Sequence, residues 1–328
     1  MHSQPGEHHI PPRPFGARCS EQSADEPLAG TASHQRRWVL LEHPGAWSRD
    51  ILDGNVFGAE LTAALQEHLD RANARLLLIR HPGRAGQHDG ARRAYLVDTA
   101  PGQRDMLTLE VSGPADLLAI DLHDGTPVGG GEPGATLRRV DGPLALICTH
   151  GKRDQCCAVR GRPVADALER RLGAELADID PAAGVWECSH TGGHRFAPVL
   201  ITMPGGLTYG SDDVDSYVAA VRAAREGRIS LTGLRGQSAL SPVEQVADIA
   251  VRSATGDVDL DALFVVGSTD PADPERARAD VRHSDGRHWH VEMQRRALPE
   301  RPASCGAAPK KAGTWDVLFV EEPNPRVG

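Results

Sequence analysis

From residue 38 onward, short apolar runs alternate with segments whose apolar positions repeat every four residues. Trp38-Val39-Leu40-Leu41 reads as a buried strand. Over Gly58 to Ala72 the spacing of Leu61, Leu65 and Leu69 predicts an amphipathic helix. Arg75-Leu76-Leu77-Leu78-Ile79 is a second strand, and Ala94–Asp98 and Leu107–Val111 are two more.

The pattern then starts again. Leu144-Ala145-Leu146-Ile147 is a buried-type strand followed by a polar loop, Thr149 to Asp154. Pro163 stands at a first helical position, ahead of Val164, Leu168 and Leu172 at four-residue spacing. Strands at Gly184–Glu187 and Val199–Met203 follow, and a helix over Val214–Arg225 closes the unit. Laid side by side, Trp38 to Gly45 matches Leu144 to Gly151 in character, Arg49-Asp50 matches Arg153-Asp154 nearly in register, and Leu77 to Arg84 matches Trp186 to Gly193. The expectation is a degenerate tandem repeat of one β-α-β type unit, with cysteines in the second copy only.

Four segments result. Residues 1–34 carry five prolines and no periodicity, and read as mostly disordered with a docking segment near Cys19. Residues 35–135 form a first lobe and 136–228 a second. Residues 229–328 are a small α+β appendage, with a helix from Ser241-Pro242 through Val251 and strands at His288–Met293 and Trp315–Val320.

A chain of 328 residues accommodates two compact units or one large one. Its formal charge of -9 argues against nucleic-acid binding as the main role, because phosphate contacts need a net basic face. No apolar run reaches the ~18 residues that span a bilayer, and the polar, proline-rich start lacks the apolar stretch of a secretory signal. The expected setting is cytoplasmic, without membrane attachment. There a cysteine-rich disulfide scaffold is disfavoured.

Of six cysteines, four fall between 148 and 188. Clustered cysteines beside histidines point to metal or redox chemistry. The stretch Cys148-Thr149-His150-Gly151-Lys152-Arg153-Asp154-Gln155-Cys156-Cys157 is followed by Ser189-His190-Thr191-Gly192-Gly193-His194-Arg195-Phe196. Gly192 and Gly193 let the backbone turn tightly enough for both imidazoles to face one point. Two thiolates and two imidazoles complete a [2Fe–2S] site or, with the same donors, a structural zinc site. Both Cys156 and Cys157 precede a helix, whose N-terminal dipole favours the thiolate, so chemistry alone leaves either as a ligand.

This text resembles the sucrase/ferredoxin-like family, whose cluster domain is a thioredoxin-like ferredoxin. The resemblance rests on Cys148-x-His-Gly-x-Arg-Asp with Cys156-Cys157, on Ser189-His190-x-Gly192-Gly193-His194-Arg195-Phe196-Ala197 and on Leu207-x-Tyr209-Gly210, and runs from about Cys19 to Ser304-Cys305-Gly306. It implies an α/β (α+β) fold with two tandem thioredoxin-like lobes. It also implies a bis-histidinyl [2Fe–2S] cluster on Cys148, Cys157, His190 and His194, with Cys156 in reserve. Histidines stand where thioredoxin-like ferredoxins have their last cysteine pair. Arg153 and Arg195 then stand near the cluster, with Lys152 as a further cation.

The implied role is a non-catalytic electron carrier or redox sensor that meets an unidentified redox protein or reductase. A thiol–disulfide oxidoreductase using Cys148 with Cys156 or Cys157, and a zinc-stabilised binding module, are the rival readings. No pair of catalytic carboxylates supports a sucrase-type hydrolase. Cys188 reads as a buried bystander thiol, Cys19 and Cys305 as spare, and Arg153–Asp154 as a loop-fixing pair. The oligomeric state is left open.

Overall fold

In the computed structural model the described residues are 18–83, 90, 92–128, 137–211 and 213–322. The first half runs β1 (Arg37–Glu42), α2 (Ala59–Ala72), β2 (Ala74–Arg80), β3 (Arg92–Asp98) and β4 (Asp105–Val111), after a four-residue helix α1 (Cys19–Gln22). A two-residue strand β5 (Arg138–Arg139) lies on β4. The second half runs β6 (Leu144–Cys148), α3 (Gln155–Ala177), β7 (Gly184–Cys188), β8 (Val199–Met203), β9 (Leu207–Gly210) and α4 (Val214–Arg225). Then come β10 (Leu234–Gln237), α5 (Pro242–Thr255) and strands β11 (Leu263–Thr269), β12 (Arg276–His283), β13 (His288–Pro302) and β14 (Pro309–Glu321).

Ten strands form one mixed sheet in the order β10-β9-β8-β6-β7-β2-β1-β3-β4-β5. In the first half β1 lies parallel to β2 and antiparallel to β3, which is antiparallel to β4. The second half repeats these pairings, with β6 parallel to β7 and antiparallel to β8, and β8 antiparallel to β9. The halves meet edge to edge through the antiparallel pair β2·β7, where Ile79 opposes Cys188 and Arg80 opposes Glu187. An Arg80–Glu187 ion pair of 2.7 Å crosses this seam.

Central strands buried on both faces need near-continuous apolar sequence, which is why β1, β2, β6 and β8 read so clearly. Alternate residues serve different cores. Trp38, Leu40, Leu77, Ile79, Leu146 and Trp186 belong to a core shared by both halves, inside the curl of the sheet. On the other face α2 covers the first half and α3 with α4 the second.

Pro163 does not open its helix. The helix starts eight residues earlier, at Gln155, with Asp154 as its cap, and carries Pro163 in its interior. The Asp154 carboxylate accepts a bond from the Cys156 N–H at 2.8 Å, satisfying one of the N–H groups that a helix start leaves open. A shorter signal, the cap, thus overrides a proline cue.

Residues beyond 228 do more than form an appendage, because β10 extends the large sheet by pairing with β9. The remaining four strands make an antiparallel meander, β11-β12-β13-β14, packed on α5. Ser241 and Glu244 form the capping box that starts α5, with Pro242 in its first turn. Residues 1–17 of the segment read as disordered lie outside the described residues. Of the remainder, 18–34, Cys19, Ser20, Ser23, Glu26 and Ala32 are buried, so this stretch is packed on the body rather than loose. Among the described residues no helix is long and apolar enough to cross a membrane.

Candidate metal centre

The centre sits where the seam between the halves meets the start of α3. Cys148 ends β6 directly opposite Cys188 on β7, so each stops at the same edge of the sheet. Gly161 allows α3 to lie against that edge: a Cβ there would stand 2.2 Å from the Cys148 carbonyl oxygen. One turn before Gly161, on the same helical face, is Cys157. Its thiol, that of Cys148 and a ring nitrogen of His190 all lie within 4.8 Å of one another. Both cysteines are 1% exposed.

His190 belongs to the loop after β7. Ser189 anchors its start through two bonds with Leu78, its N–H donating to the Leu78 carbonyl at 2.8 Å and its hydroxyl accepting from the Leu78 N–H at 3.0 Å. Arg75 donates to the His190 carbonyl at 2.7 Å, and the His190 N–H donates to Nδ1 of His150 at 3.2 Å. His150 Nε2 in turn donates to the Ser48 carbonyl at 2.7 Å. Burial holds the His150 ring below the usual imidazole range, in keeping with a neutral ring used as a strut. Gly192 (φ 96°) and Gly193 (φ 69°) then reverse the chain. Gly193 also makes room for Arg235, whose Nη2 would be 2.2 Å from a Cβ at that position.

This reversal brings the His194 ring to 4.9 Å from that of His190, centroid to centroid. His194 lies just outside the group of three, with its Nε2 3.8 Å from Asp154 Oδ2. Burial lowers its pKa, so it stays a neutral ring available as a donor. In both rings Nδ1 is buried without a hydrogen-bond partner. Buried imidazole nitrogens are rarely left so, and the His190 ring has a nitrogen within 4.8 Å of two buried thiols while the His194 ring packs against it. That is the donor set a thiolate- and imidazole-binding metal group requires.

The thiol pair is tightly linked. The hydrogen bond from Cys157, and after it the His190 ring, draws the Cys148 thiol well below its usual range. The same bond and burial push the Cys157 thiol up. Burial pushes Cys188 up as well, as befits a core thiol.

Cys156 points elsewhere. Its sulfur is 3.6 Å from that of Cys19 and 3.2 Å from that of Cys305. Arg195 pairs with Glu26 at 2.5 Å and lies over the Phe196 ring. Arg153 lines a cleft of about 440 Å³ together with Arg49, Arg75, Asp70, His150 and His190. Lys152 is exposed. Asp154 fixes backbone at Cys156 and Cys305 rather than pairing with Arg153. The sequence carries no sign of the roles of Arg75 and Arg235, which reach the loop from distant segments, and His150, though part of the motif, shows its role as a strut only in the fold.

Among curated proteins none matches the chain, and none matches among solved structures. A family model described as sucrase/ferredoxin-like matches residues 28–225, a span that holds Cys148, Cys157, His190 and His194 but neither Cys19 nor Cys305. With that span covering well over half its length, the chain belongs to the sucrase/ferredoxin-like family.

Proposed function

We propose that this protein is an electron carrier or redox sensor that holds a [2Fe–2S] cluster on Cys148, Cys157, His190 and His194. The observation that carries the proposal is a His190 ring nitrogen within 4.8 Å of two buried thiols, with the His194 ring 4.9 Å from that of His190 and Nδ1 of both rings buried without a hydrogen-bond partner. Three donors within 4.8 Å and a fourth farther out suit a dinuclear group better than a single tetrahedral ion, whose four donors would all be close neighbours. Cys157 is preferred to Cys156 because it shares the Cys148 and His190 neighbourhood.

When bound, such a cluster supplies one-electron chemistry at a potential raised by neutral imidazole in place of thiolate. The chain's own groups set the surroundings. Arg75 and His150 hold the His190 loop, and Asp154 lies 3.8 Å from His194 Nε2, where a carboxylate orients an imidazole and raises its basicity. The cleft beside His190 gives solvent, protons and a partner's surface access to one edge of the centre. We infer further that the two halves are copies of one thioredoxin-like unit. The cysteine-free copy then occupies the edge at which a second subunit would otherwise pair, and an unidentified redox protein or reductase exchanges electrons at the cleft.

The test is anaerobic purification followed by a visible spectrum, iron and sulfide analysis, and EPR after reduction. Two irons and two sulfides per chain, with a low average g value of Rieske type, are expected. His194→Cys should keep the iron and lower the potential. A colourless protein whose Cys148 and Cys157 close reversibly into a disulfide would instead make it a thiol–disulfide oxidoreductase. Zinc lost on replacing Cys148 would make the centre structural.

A further inference from the structure

We propose that Cys19, Cys156 and Cys305, closed by Asp154, form a second, mononuclear metal site of the zinc class. The three cysteines come from α1, from the first turn of α3 and from the turn joining β13 to β14. Their sulfurs nevertheless form a triangle with edges of 3.2, 3.5 and 3.6 Å. Zinc–thiolate bonds of about 2.3 Å in a tetrahedron set neighbouring sulfurs slightly under 4 Å apart. The triangle is thus close to one face of that tetrahedron, and far too wide for a disulfide at about 2.0 Å.

Asp154 stands over the triangle, with both carboxylate oxygens 3.8 Å from the Cys19 sulfur. It is held there by the N–H groups of Cys156 (2.8 Å) and Cys305 (2.7 Å) and by the Ser304 hydroxyl (3.0 Å). Carboxylates that bind metals are fixed by hydrogen bonds of this kind. Cys19 and Cys156 are fully buried, and Cys305 is partly exposed, which leaves a way in.

The site does not depend on the cluster proposal, since it uses none of the cluster's cysteines. A metal there ties the N-terminal segment and the β13–β14 hairpin to the start of α3, where an Arg301–Asp25 ion pair already joins hairpin and segment. Its Asp154 is also the carboxylate facing His194. The two sites are therefore adjacent, reached by consecutive residues of one helix.

The experiment measures zinc and iron in the full-length chain purified anaerobically under reducing conditions, for the wild type and for Cys305→Ser, Cys305→His and Cys148→Ser. One zinc per chain is expected in the wild type. Cys305→Ser should lose it while keeping its iron, and Cys305→His should retain it because imidazole is itself a zinc donor. Cys148→Ser should lose iron and keep zinc. If Cys305→Ser is insoluble, Cys305→His still tests the site. Wild type without zinc, a zinc content that Cys305→Ser leaves unchanged, or a disulfide mapped among the three cysteines would each overturn the proposal.

Discussion

Replacing Gly161 with alanine should have the opposite sign from the same change twelve residues later in the same helix. In a helix with room, Gly→Ala stabilises by about 1 kcal/mol, because alanine loses less backbone freedom. At Gly161 the new Cβ would lie 2.2 Å from the Cys148 carbonyl oxygen, 3.2 Å from its carbon and 3.5 Å from Thr149 Cγ2. Both sides of the clash are backbone, so no rotamer can yield, and α3 must back away from the end of β6 by about 1 Å. Overpacking of this kind costs about 1–3 kcal/mol, which outweighs the helical gain. The movement also reaches Cys157, one turn away on the same face, while metal–ligand distances tolerate only about 0.2 Å. At Gly173 the three atoms nearest the new Cβ all belong to the flexible Glu169 side chain, which can swing aside. Urea unfolding and iron per chain, measured for both variants, check the argument. Gly161→Ala should unfold at lower urea with reduced iron, and Gly173→Ala should match or exceed the wild type in both. A Gly161→Ala protein as stable as wild type with full iron would refute the reasoning.

Three further outcomes follow from polar side chains that satisfy charge or backbone groups. Asp248 and Arg252 are both fully buried and bonded at 3.0 Å, so Asp248→Ala strands the guanidinium and should cost about 3–5 kcal/mol by urea unfolding, whereas Asp248→Leu with Arg252→Met should recover most of it. Asp180 accepts two bonds from Arg138 and one each from the N–H groups of Asp141 and Ala182, all between 2.7 and 2.9 Å, and Asp180→Ala should lose about 2 kcal/mol at pH 7. The Arg138 bonds hold its folded carboxyl well below the usual range, so its contribution is complete above the unfolded value near ~3.9 and fades as pH falls below it. The difference between wild type and variant should accordingly narrow under acid. Ser241→Ala removes one side of the α5 capping box and should cost about 1 kcal/mol in the same assay.

The local elements were legible because each is written within a few residues. Apolar runs marked β1, β2, β6 and β8, and the spacing of Leu61, Leu65 and Leu69 marked α2, whose bounds the structure moves by one residue. The helix over Val214–Arg225 has the bounds its pattern implied. Cys148, His190 and His194, with either Cys156 or Cys157, stood out because they are written in two short stretches of sequence, and Cys157 was preferred only through the family resemblance. Pro163 misled, since a proline in a helix interior carries the same local sequence signal as one at a helix start, and only the Asp154 cap separates them.

What the sequence by itself determined, then, was the main strands and helices up to residue 225, the helix α5 and parts of β13 and β14, the family resemblance and a set of candidate ligands, while β9, β10, β11 and β12 were not read from it. The tertiary structure decided how they are partitioned. Neighbours on a helix point about 100° apart, so α3 sends Cys157 toward Cys148 and His190 and sends Cys156 toward Cys19 and Cys305. No local pattern contains that choice, because it depends on which face of α3 rests on the sheet, and Gly161 fixes that face. Nor can spacing bring Cys19 and Cys305 together. They are 286 residues apart, and they meet only because a long hairpin folds back over the N-terminal segment.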